Sequence, residues 1–185
     1  MLAPTPIQAK ASSSSSKLYL SQARASDSTE DCMALYEKWA ASYNDEVGDS
    51  SQDYVAPVLV AQAAIKHGLS NGATNSVILD AVADMNRPID KKDGTYDLVS
   101  CVGTFTLGHV GPDPALRELV RVAKNKGVVV STILQEIWVS GGFQAEVEKL
   151  VAEGLVKVVT EELIDYVKGH GDKAVLLILE KIDRH

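Results

Sequence analysis

Cysteine and bulky aromatic residues are scarce in this sequence. Cys32 and Cys101 are its two cysteines, and phenylalanine and tryptophan occur twice each among 185 residues. Two cysteines so far apart in sequence make neither a disulfide framework nor a metal-binding motif, and they favour a reducing compartment. The four histidines show no spacing typical of metal ligands. We therefore expect no metal site.

Positive charge and long apolar runs are lacking as well. The sequence has 18 lysines and arginines against 25 acids, and its formal net charge is -7. Its densest basic segments, at 91–92 and 124–126, are too short for the clustered charge that nucleic acid binding requires. No apolar run approaches the roughly 20 residues that cross a bilayer. We expect no nucleic acid partner, no membrane partner and a cytoplasmic location.

The first 27 residues differ in composition from the rest. They include five serines at 12–16 and no acid before Asp27. So few bulky apolar side chains do not offset the entropy of ordering a segment, which predicts a disordered tail. An acid-poor, serine-rich start is also typical of an organelle transit peptide, so this alternative stays open. Residues 28–185 are predicted to form a single domain.

Within that domain, short apolar runs of strand type alternate with helical patterns. The strands are predicted at 76–80, 96–102, 128–134, 155–160 and 174–179. A first helix starts near Ser28, which forms a capping box with Asp31, and a second covers 56–67. The alternation favours an α/β fold with a mainly parallel sheet and helices on both faces. The last two strands have no clear helix between them, which favours an antiparallel hairpin.

The clearest helical pattern follows Asp113. Asp113 is predicted as its N-cap, Pro114 as its first residue and Gly127 as its terminator. Another helix begins near Phe143 and ends at Gly154.

Three segments together resemble one enzyme family. Residues 36–44, YEKWAASYN, resemble the signature that opens many small-molecule methyltransferases that use S-adenosylmethionine. Residues 83–97 resemble the segment after that family's third strand, and 101–111, CVGTFTLGHVG, are similar to methyltransferases related to the methyltransferase-like protein of the Williams-Beuren region. The resemblance extends from about Tyr36 to Ile182. It implies a Rossmann-like class I fold, S-adenosylmethionine as cofactor and a small-molecule substrate.

One departure from the family pattern is clear. The family's first strand runs into a Gly-x-Gly-x-Gly turn, whose glycines let the backbone approach the cofactor. Here Asp80 is followed by Ala-Val-Ala-Asp-Met, and the glycine turn, the next two strands and their helices are absent. The family sheet order 3-2-1-4-5-7-6 would then be truncated to 1-4-5-7-6. The exposed edge of such a sheet favours self-association.

The resemblance implies roles for residues beside the first strand and in the first helix. Asp84 would meet the adenine amino group, with Met85 beside the ring, and Asp80 would contact the cofactor's amino-acid end. Each of the two acids is equally interpretable as a turn residue. Tyr43 would fold over the cofactor, whereas Tyr36 fits better on the core face of its helix.

A second group of candidates follows the strand at 96–102. The carboxyl ends of parallel strands open onto the ligand crevice in such folds, so we expect Cys101 and Gly103 to contact the cofactor and Thr104 and Phe105 the substrate. His109 is the candidate base for a hydroxyl or amine, because its pKa lies near neutrality. A loop histidine bonded to backbone is the alternative. The last candidate for the substrate pocket is Trp138, for which the role of a loop anchor is the favoured alternative.

Three functional hypotheses remain open from sequence. The first is methyl transfer from S-adenosylmethionine to a small-molecule oxygen or nitrogen. The second is a pseudo-methyltransferase, acting as a binding protein or as a cofactor-independent isomerase or cyclase. The third is an incomplete gene product. The missing glycine turn favours the second and third, and the overall resemblance favours the first.

Overall fold

A computed structural model describes residues 19, 22–23, 26, 28–68, 75–81 and 85–183. The predicted tail at 1–27 lies largely outside these residues. The helices are α1 (Thr29–Trp39), α2 (Tyr43–Val47), α3 (Ala56–Gly68), α4 (Ala115–Val122), α5 (Gln135–Trp138) and α6 (Phe143–Ala152). The strands are β1 (Ile78–Asp80), β2 (Tyr96–Phe105), β3 (Ala123–Leu134), β4 (Val156–Val167) and β5 (Asp172–Lys181).

The five strands form one mixed sheet with the order β1-β2-β3-β5-β4. β1 pairs parallel with β2 and β2 parallel with β3, while β5 is antiparallel to both β3 and β4. This is the order 1-4-5-7-6 predicted for a truncated family sheet, and the predicted closing hairpin is confirmed. Half of the strand pairings are antiparallel, so the sheet is mixed.

Helices cover both faces of the sheet. Alternate residues of β2 point to opposite faces, so Leu98 packs with Val60 and Ala64 of α3 while Val99 joins the core under α4 and α6. The buried runs of β3 and β5 supply both cores. The predicted two-sided burial is therefore confirmed. No helix among the described residues is long and apolar enough to span a membrane.

The start of α1 follows its sequence signal. Ser28 is the N-cap, and its Oγ accepts a hydrogen bond from the backbone amide of Asp31 at 3.1 Å. The same hydroxyl donates to the Asp31 carboxylate at 2.8 Å. The predicted partnership of the two residues is confirmed, and it provides a partner for one of the free amides of the first turn.

The helix predicted at 113–127 is shorter than its pattern indicates. It begins at Ala115, with Pro114 rather than Asp113 as N-cap, and it ends at Val122. Ala123 has extended backbone angles and pairs with Tyr96, so it already belongs to β3. Gly127 lies within that strand and terminates no helix. Pairing with β2 gives hydrogen-bond partners to backbone groups, whereas the carbonyls at the end of a longer helix would lack them.

The crossover from β1 to β2 contains no helix or strand in its described residues 85–95. Two side chains of α4 hold it in place. Glu118 accepts a hydrogen bond from the Ile89 amide at 2.7 Å, and Arg121 donates to the carbonyls of Ile89 and Lys91 at 2.7 and 2.8 Å. Arg121 also forms ion pairs with Glu118 and Asp93. Charge-assisted bonds thus replace the covering helix that a parallel crossover normally carries.

The outer strand β1 is short and poorly covered. Within the described chain it pairs with β2 alone, and the side chains of Val77 and Ile78 are 44% and 50% exposed. An open edge with apolar side chains can pair with another chain. The predicted exposed sheet edge is therefore present.

Candidate functional site

A large cavity opens where β1 ends and β2 continues. Asp80, the last residue of β1, pairs with Ser100, so the remaining residues of β2 extend beyond the edge strand. The space is about 1220 Å³ and lies between this step, α1 and α3. We call it the edge cavity. It occupies the carboxyl end of the parallel strands, where folds of this kind bind ligands.

The polar groups of the edge cavity come from the two strand ends, from the N-terminal helices and from the segments beside them. Ser100 Oγ donates a hydrogen bond to Asp80 Oδ1 at 2.7 Å, which orients an otherwise exposed carboxylate. Asn86 Nδ2 donates to the backbone carbonyl of His109 at 3.3 Å. The acids Glu37 and Asp80 both line the space, and no lysine or arginine does so among the described residues. The cavity is therefore negatively charged.

A smaller space, about 100 Å³, adjoins the edge cavity at Gly103. We call it the aromatic pocket because five of its described lining residues are tyrosine or tryptophan. Its described lining includes two tyrosines and a tryptophan from the N-terminal helices, one tyrosine before α3 and one from the end of β4: Tyr36, Trp39, Tyr43, Tyr54 and Tyr166.

The rings of the lining form two groups. On α1 and α2, Trp39 and Tyr43 meet edge-to-face with centroids 4.8 Å apart, and Tyr36 lies 5.6 Å from Trp39. Tyr54 and Tyr166 form the second group, with centroids 5.1 Å apart and a hydrogen bond of 3.2 Å between their hydroxyls. These spacings are typical of favourable aromatic pairs.

Backbone pairing brings Tyr54 and Tyr166 together. Tyr54 forms an isolated antiparallel bridge with Val167, and the amide of Val55 donates to the carbonyl of Tyr166 at 3.2 Å. Burial raises the pKa of Tyr166 well above its usual range and the pKa of Tyr36 to about 12. Both phenols are therefore neutral at physiological pH, and neither side chain adds a charge to the pocket.

Glu46 supplies the carboxylate of the aromatic pocket. Its Oε2 accepts a hydrogen bond from Trp39 Nε1 at 2.7 Å, and its Oε1 accepts one from Ser42 Oγ at 2.6 Å. Both donors are neutral. Among the described residues, no lysine, arginine or histidine forms an ion pair with Glu46. Its negative charge is thus held in place and has no cationic partner in this part of the chain.

His109 lies between the two spaces and uses both of its ring nitrogens. Nδ1 is hydrogen-bonded to the hydroxyl of Thr106, and Nε2 lies 2.8 Å from Sγ of Cys32. The ring also contacts Tyr36, at a centroid distance of 5.6 Å. Burial lowers the pKa of His109 and raises the pKa of the Cys32 thiol. A neutral imidazole and a neutral thiol therefore face each other.

The glycine at 103 is required by its neighbours. Its φ is +78°, a left-handed conformation that glycine adopts at little cost. A Cβ at this position would lie 3.2 Å from the Tyr54 hydroxyl and 3.5 Å from the Tyr166 hydroxyl. Gly103 therefore lets the second tyrosine pair close against the end of β2.

The structure brings together half of the site residues predicted from sequence. Tyr43, Asp80, Gly103, Thr104 and His109 line the edge cavity, the aromatic pocket or both. Their roles in binding remain predictions. Asp84 lies outside the described residues.

The other predicted residues lie in the core. Cys101 and Phe105 are fully buried on the face of β2 opposite Val102 and Thr104, because alternate strand residues point to opposite faces. Burial raises the pKa of Cys101 to about 12. Met85 is fully buried and Trp138 is 8% exposed, and both pack in the same core. These four side chains do not line either space.

Several lining residues had no site role in the sequence prediction, among them Cys32, Glu46, Tyr54 and Tyr166. Tyr54 and Tyr166 are 112 positions apart, and no local pattern relates them. Glu46 lies two residues after the segment 36–44, and its helical spacing from Ser42 is the one signal in the sequence that points to it.

The residues present fit S-adenosylmethionine in part. The edge cavity has the right place and ample volume for a nucleotide-sized ligand. Its carboxylates suit a ligand with a sulfonium and an amino group. However, no glycine occurs between Asp80 and Gly94. The backbone after β1 therefore lacks the glycines that usually let it approach the cofactor closely. No group of three metal-binding side chains occurs among the described residues.

Comparisons with known proteins relate the chain to methyltransferase structures. No protein-family model and no curated protein sequence matches it significantly. The 1,6-didemethyltoxoflavin-N1-methyltransferase of Burkholderia thailandensis, solved with S-adenosylhomocysteine, is similar with a TM-score of 0.51 and 15% identity. That match covers 85% of this chain and 92% of the other.

Two further structures match less well. One comes from a Haloferax volcanii complex between the Trm112 methyltransferase activator and a protein classed as a methyltransferase. Its TM-score is 0.49 at 12% identity, and the match covers 81% of this chain and 97% of the other. A Methanococcus maripaludis protein classed as a S-adenosyl-L-methionine-dependent methyltransferase gives 0.47 at 15% identity, covering 78% and 93%. With the strand order and the crevice at the ends of β1 and β2, the chain has the fold of the class I S-adenosylmethionine-dependent methyltransferases.

Proposed function

We propose that this protein transfers a methyl group from S-adenosylmethionine to an oxygen or nitrogen of a small molecule. One observation carries the proposal. Two spaces of different size and chemistry, the edge cavity and the aromatic pocket, adjoin at the carboxyl end of β2. A methyltransferase must hold a large donor and a smaller acceptor side by side, and this arrangement provides for both.

Asp80, Tyr43 and Gly103 are the residues that would hold the cofactor. The Asp80 carboxylate, oriented by Ser100, lies on the cavity side where a positively charged amino group would be attracted. Tyr43 lines both spaces and would contact both donor and acceptor. When bound, the cofactor supplies an electrophilic methyl group. The chain's own work is to bind, to orient and to exclude water from the aromatic pocket.

The size of the pocket supports a small-molecule acceptor. About 100 Å³ between buried and partly buried rings admits a small functional group and excludes a folded macromolecule. The Burkholderia thailandensis methyltransferase has 1,6-didemethyltoxoflavin bound, which is also a small molecule. The acidic net charge is unfavourable for nucleic acid.

Calorimetric titration tests the proposal. The folded chain is titrated with S-adenosylmethionine and with S-adenosylhomocysteine, and we expect dissociation constants in the micromolar range, about 8 kcal/mol of binding free energy. Asp80→Asn should weaken binding of both ligands because it removes the charge while keeping the hydrogen bond from Ser100. Glu161→Gln, on the exposed outer strand β4, is the matched control. No binding by a chain with a native circular dichroism spectrum would refute the proposal.

A second candidate function is small-molecule binding without methyl transfer, as a binding protein, isomerase or cyclase. The absence of glycine from 81–93 favours it, because a substituted turn approaches a cofactor less closely. This second function requires that small cationic or neutral ligands bind in the aromatic pocket. It also requires that neither S-adenosylmethionine nor S-adenosylhomocysteine binds. The same titrations therefore separate the two candidates.

A further inference from the structure

The charge of the site has one sign. Glu46 lines the aromatic pocket, and Glu37 and Asp80 line the edge cavity. The described lining of both spaces contains no lysine or arginine. His109 adds no charge near neutrality because burial lowers its pKa. A ligand that complements these walls is therefore a cation.

The walls of the aromatic pocket suit one kind of cation. Aromatic faces attract weakly hydrated ammonium groups, and methylated ammonium ions are the usual ligands of such cages. Five rings line the pocket, from the group of α1 and α2 and from the pair near β4. The Glu46 carboxylate, whose hydrogen-bond donors are both neutral, adds a full negative charge to the lining. A strongly hydrated primary ammonium would lose more solvation here than an N-methylated one.

We infer that the aromatic pocket binds an N-methylated ammonium group, and that the acceptor of the reaction is a tertiary amine which becomes a quaternary ammonium ion. The role as acceptor rests on the proposed methyl transfer. Binding of the ammonium group does not depend on it.

The chemistry of that transfer agrees with the walls. The amine nitrogen uses its lone pair to form the new bond to the methyl carbon, while the carbon–sulfur bond of the sulfonium donor breaks and its electron pair stays on sulfur. Positive charge thus leaves sulfur and develops on nitrogen. Aromatic faces and a fixed carboxylate around that nitrogen stabilise the charge as it forms, and a preorganised site loses no reorganisation energy.

A tertiary amine also explains the state of His109. A tertiary amine is protonated in neutral solution and loses that proton to the solvent when it binds as the free base. Because the free base has no N–H, the methyl transfer itself releases no proton that a protein base would have to take. Both nitrogens of His109 are already engaged, by Thr106 and Cys32, so the imidazole is not free to accept a proton from a substrate. A hydroxyl acceptor would need that base. The bonded histidine therefore favours an amine over an alcohol.

The test compares choline with 3,3-dimethylbutan-1-ol, which has the same shape and no charge. Both are titrated calorimetrically into the full chain without cofactor. We expect choline to bind at least about tenfold more tightly, since desolvated cation–aromatic contacts contribute up to about 30-fold. Tetramethylammonium should compete with choline.

Three variants locate the binding. Tyr43→Leu removes a ring and should weaken choline binding about threefold to thirtyfold, whereas Tyr43→Phe keeps the ring and should bind nearly as well as the original chain. Glu46→Gln removes charge with little change of shape, and it should weaken choline but leave the alcohol unaffected. Circular dichroism melting of each variant checks that it is folded.

Two outcomes would overturn the inference. One is equal binding of choline and the neutral alcohol, or no binding of either, by the folded chain. The other is displacement of choline by S-adenosylmethionine but not by S-adenosylhomocysteine, which would assign the pocket to the sulfonium instead of the acceptor. Choline binding without any cofactor binding would leave the cage intact and refute the proposed function. Cofactor binding without choline binding would support the proposed function and overturn the inference that the aromatic pocket binds an ammonium group.

Discussion

Sγ of Cys32 lies 2.8 Å from Nε2 of His109, although the two residues are 77 positions apart in the chain. The contact joins the first helix to the loop after β2 and lies beside both spaces of the site. Cys32 is 2% exposed, so the sulfur shields the imidazole from water. A residue that appears in sequence as a free loop base is thus a partly buried group with both ring nitrogens bonded.

His109 should titrate below the usual range for histidine. Burial lowers its folded pKa, so the unfolded chain, with a pKa near 6.5, binds the proton more readily. The free energy of unfolding should therefore fall as the pH drops below about 6.5 and level off beneath the folded pKa. NMR titration of the His109 ring, with denaturation at several pH values, measures both. A ring pKa above 6.5 would contradict this prediction.

Removing the sulfur should reverse part of that shift. Cys32→Ala exposes Nε2 to water, so we expect the pKa of His109 to rise toward its usual value. Cys32→Ser keeps a hydrogen-bonding group beside the ring and should change the pKa less. The same NMR titration applied to both variants gives the comparison. Identical pKa values in the alanine variant and the original chain would show that the thiol does not control the imidazole.

Gly103→Ala should destabilise the protein more than a substitution at an open left-handed glycine. Both Gly103 and Gly154 have positive φ, at +78° and +67°, and alanine there costs about 1–2 kcal/mol of strain. A Cβ at Gly154 meets nothing within 4 Å, whereas at Gly103 it approaches the Tyr54 hydroxyl. We expect an extra loss of about 1 kcal/mol at Gly103. Adding Tyr54→Phe to Gly103→Ala should recover part of this extra loss. The free energy of unfolding is measured by urea denaturation for Gly103→Ala, Gly154→Ala, Tyr54→Phe and the double variant Gly103→Ala/Tyr54→Phe.

Arg121→Gln should loosen the crossover between β1 and β2. The guanidinium holds the carbonyls of Ile89 and Lys91 and the carboxylate of Glu118. Loss of these charge-assisted bonds should lower the free energy of unfolding by about 2 kcal/mol. Amide exchange should rise at 89–94. Lys66→Gln, on the exposed surface of α3, is the control and should change neither quantity. Unchanged exchange at 89–94 would show that other contacts hold the crossover.

The open sheet edge should cause self-association at high concentration. Val77 and Ile78 present apolar side chains beside the outer edge of β1, which pairs with no strand of the described residues. Sedimentation velocity should show a dimer that grows with concentration, and Ile78→Lys should abolish it. Val151→Lys changes a similarly exposed side chain on α6 and should leave the association intact. A chain that stays monomeric throughout would contradict the prediction.

Local patterns in the sequence determined the elements and much of their arrangement. Strand-type runs and the Ser28 cap predicted the elements, and the missing helix between the last two strands predicted the closing hairpin. These features depend on neighbouring residues, whose spacing sets the face that each side chain occupies. The sheet order was implied by the resemblance to methyltransferases. The end of α4 was mispredicted because strand pairing at Ala123 overrode a pattern that continued to Gly127.

The composition of the site was decided by the tertiary structure. Alternation along β2 turns Cys101 and Phe105 into the core and Thr104 toward the cavity, a choice that depends on which face α3 covers. Tyr54 and Tyr166 meet because a segment before α3 pairs with the end of β4. Cys32 of α1 contacts His109 of the loop after β2. Contacts between distant segments depend on how whole elements pack, and no short stretch of sequence records that packing.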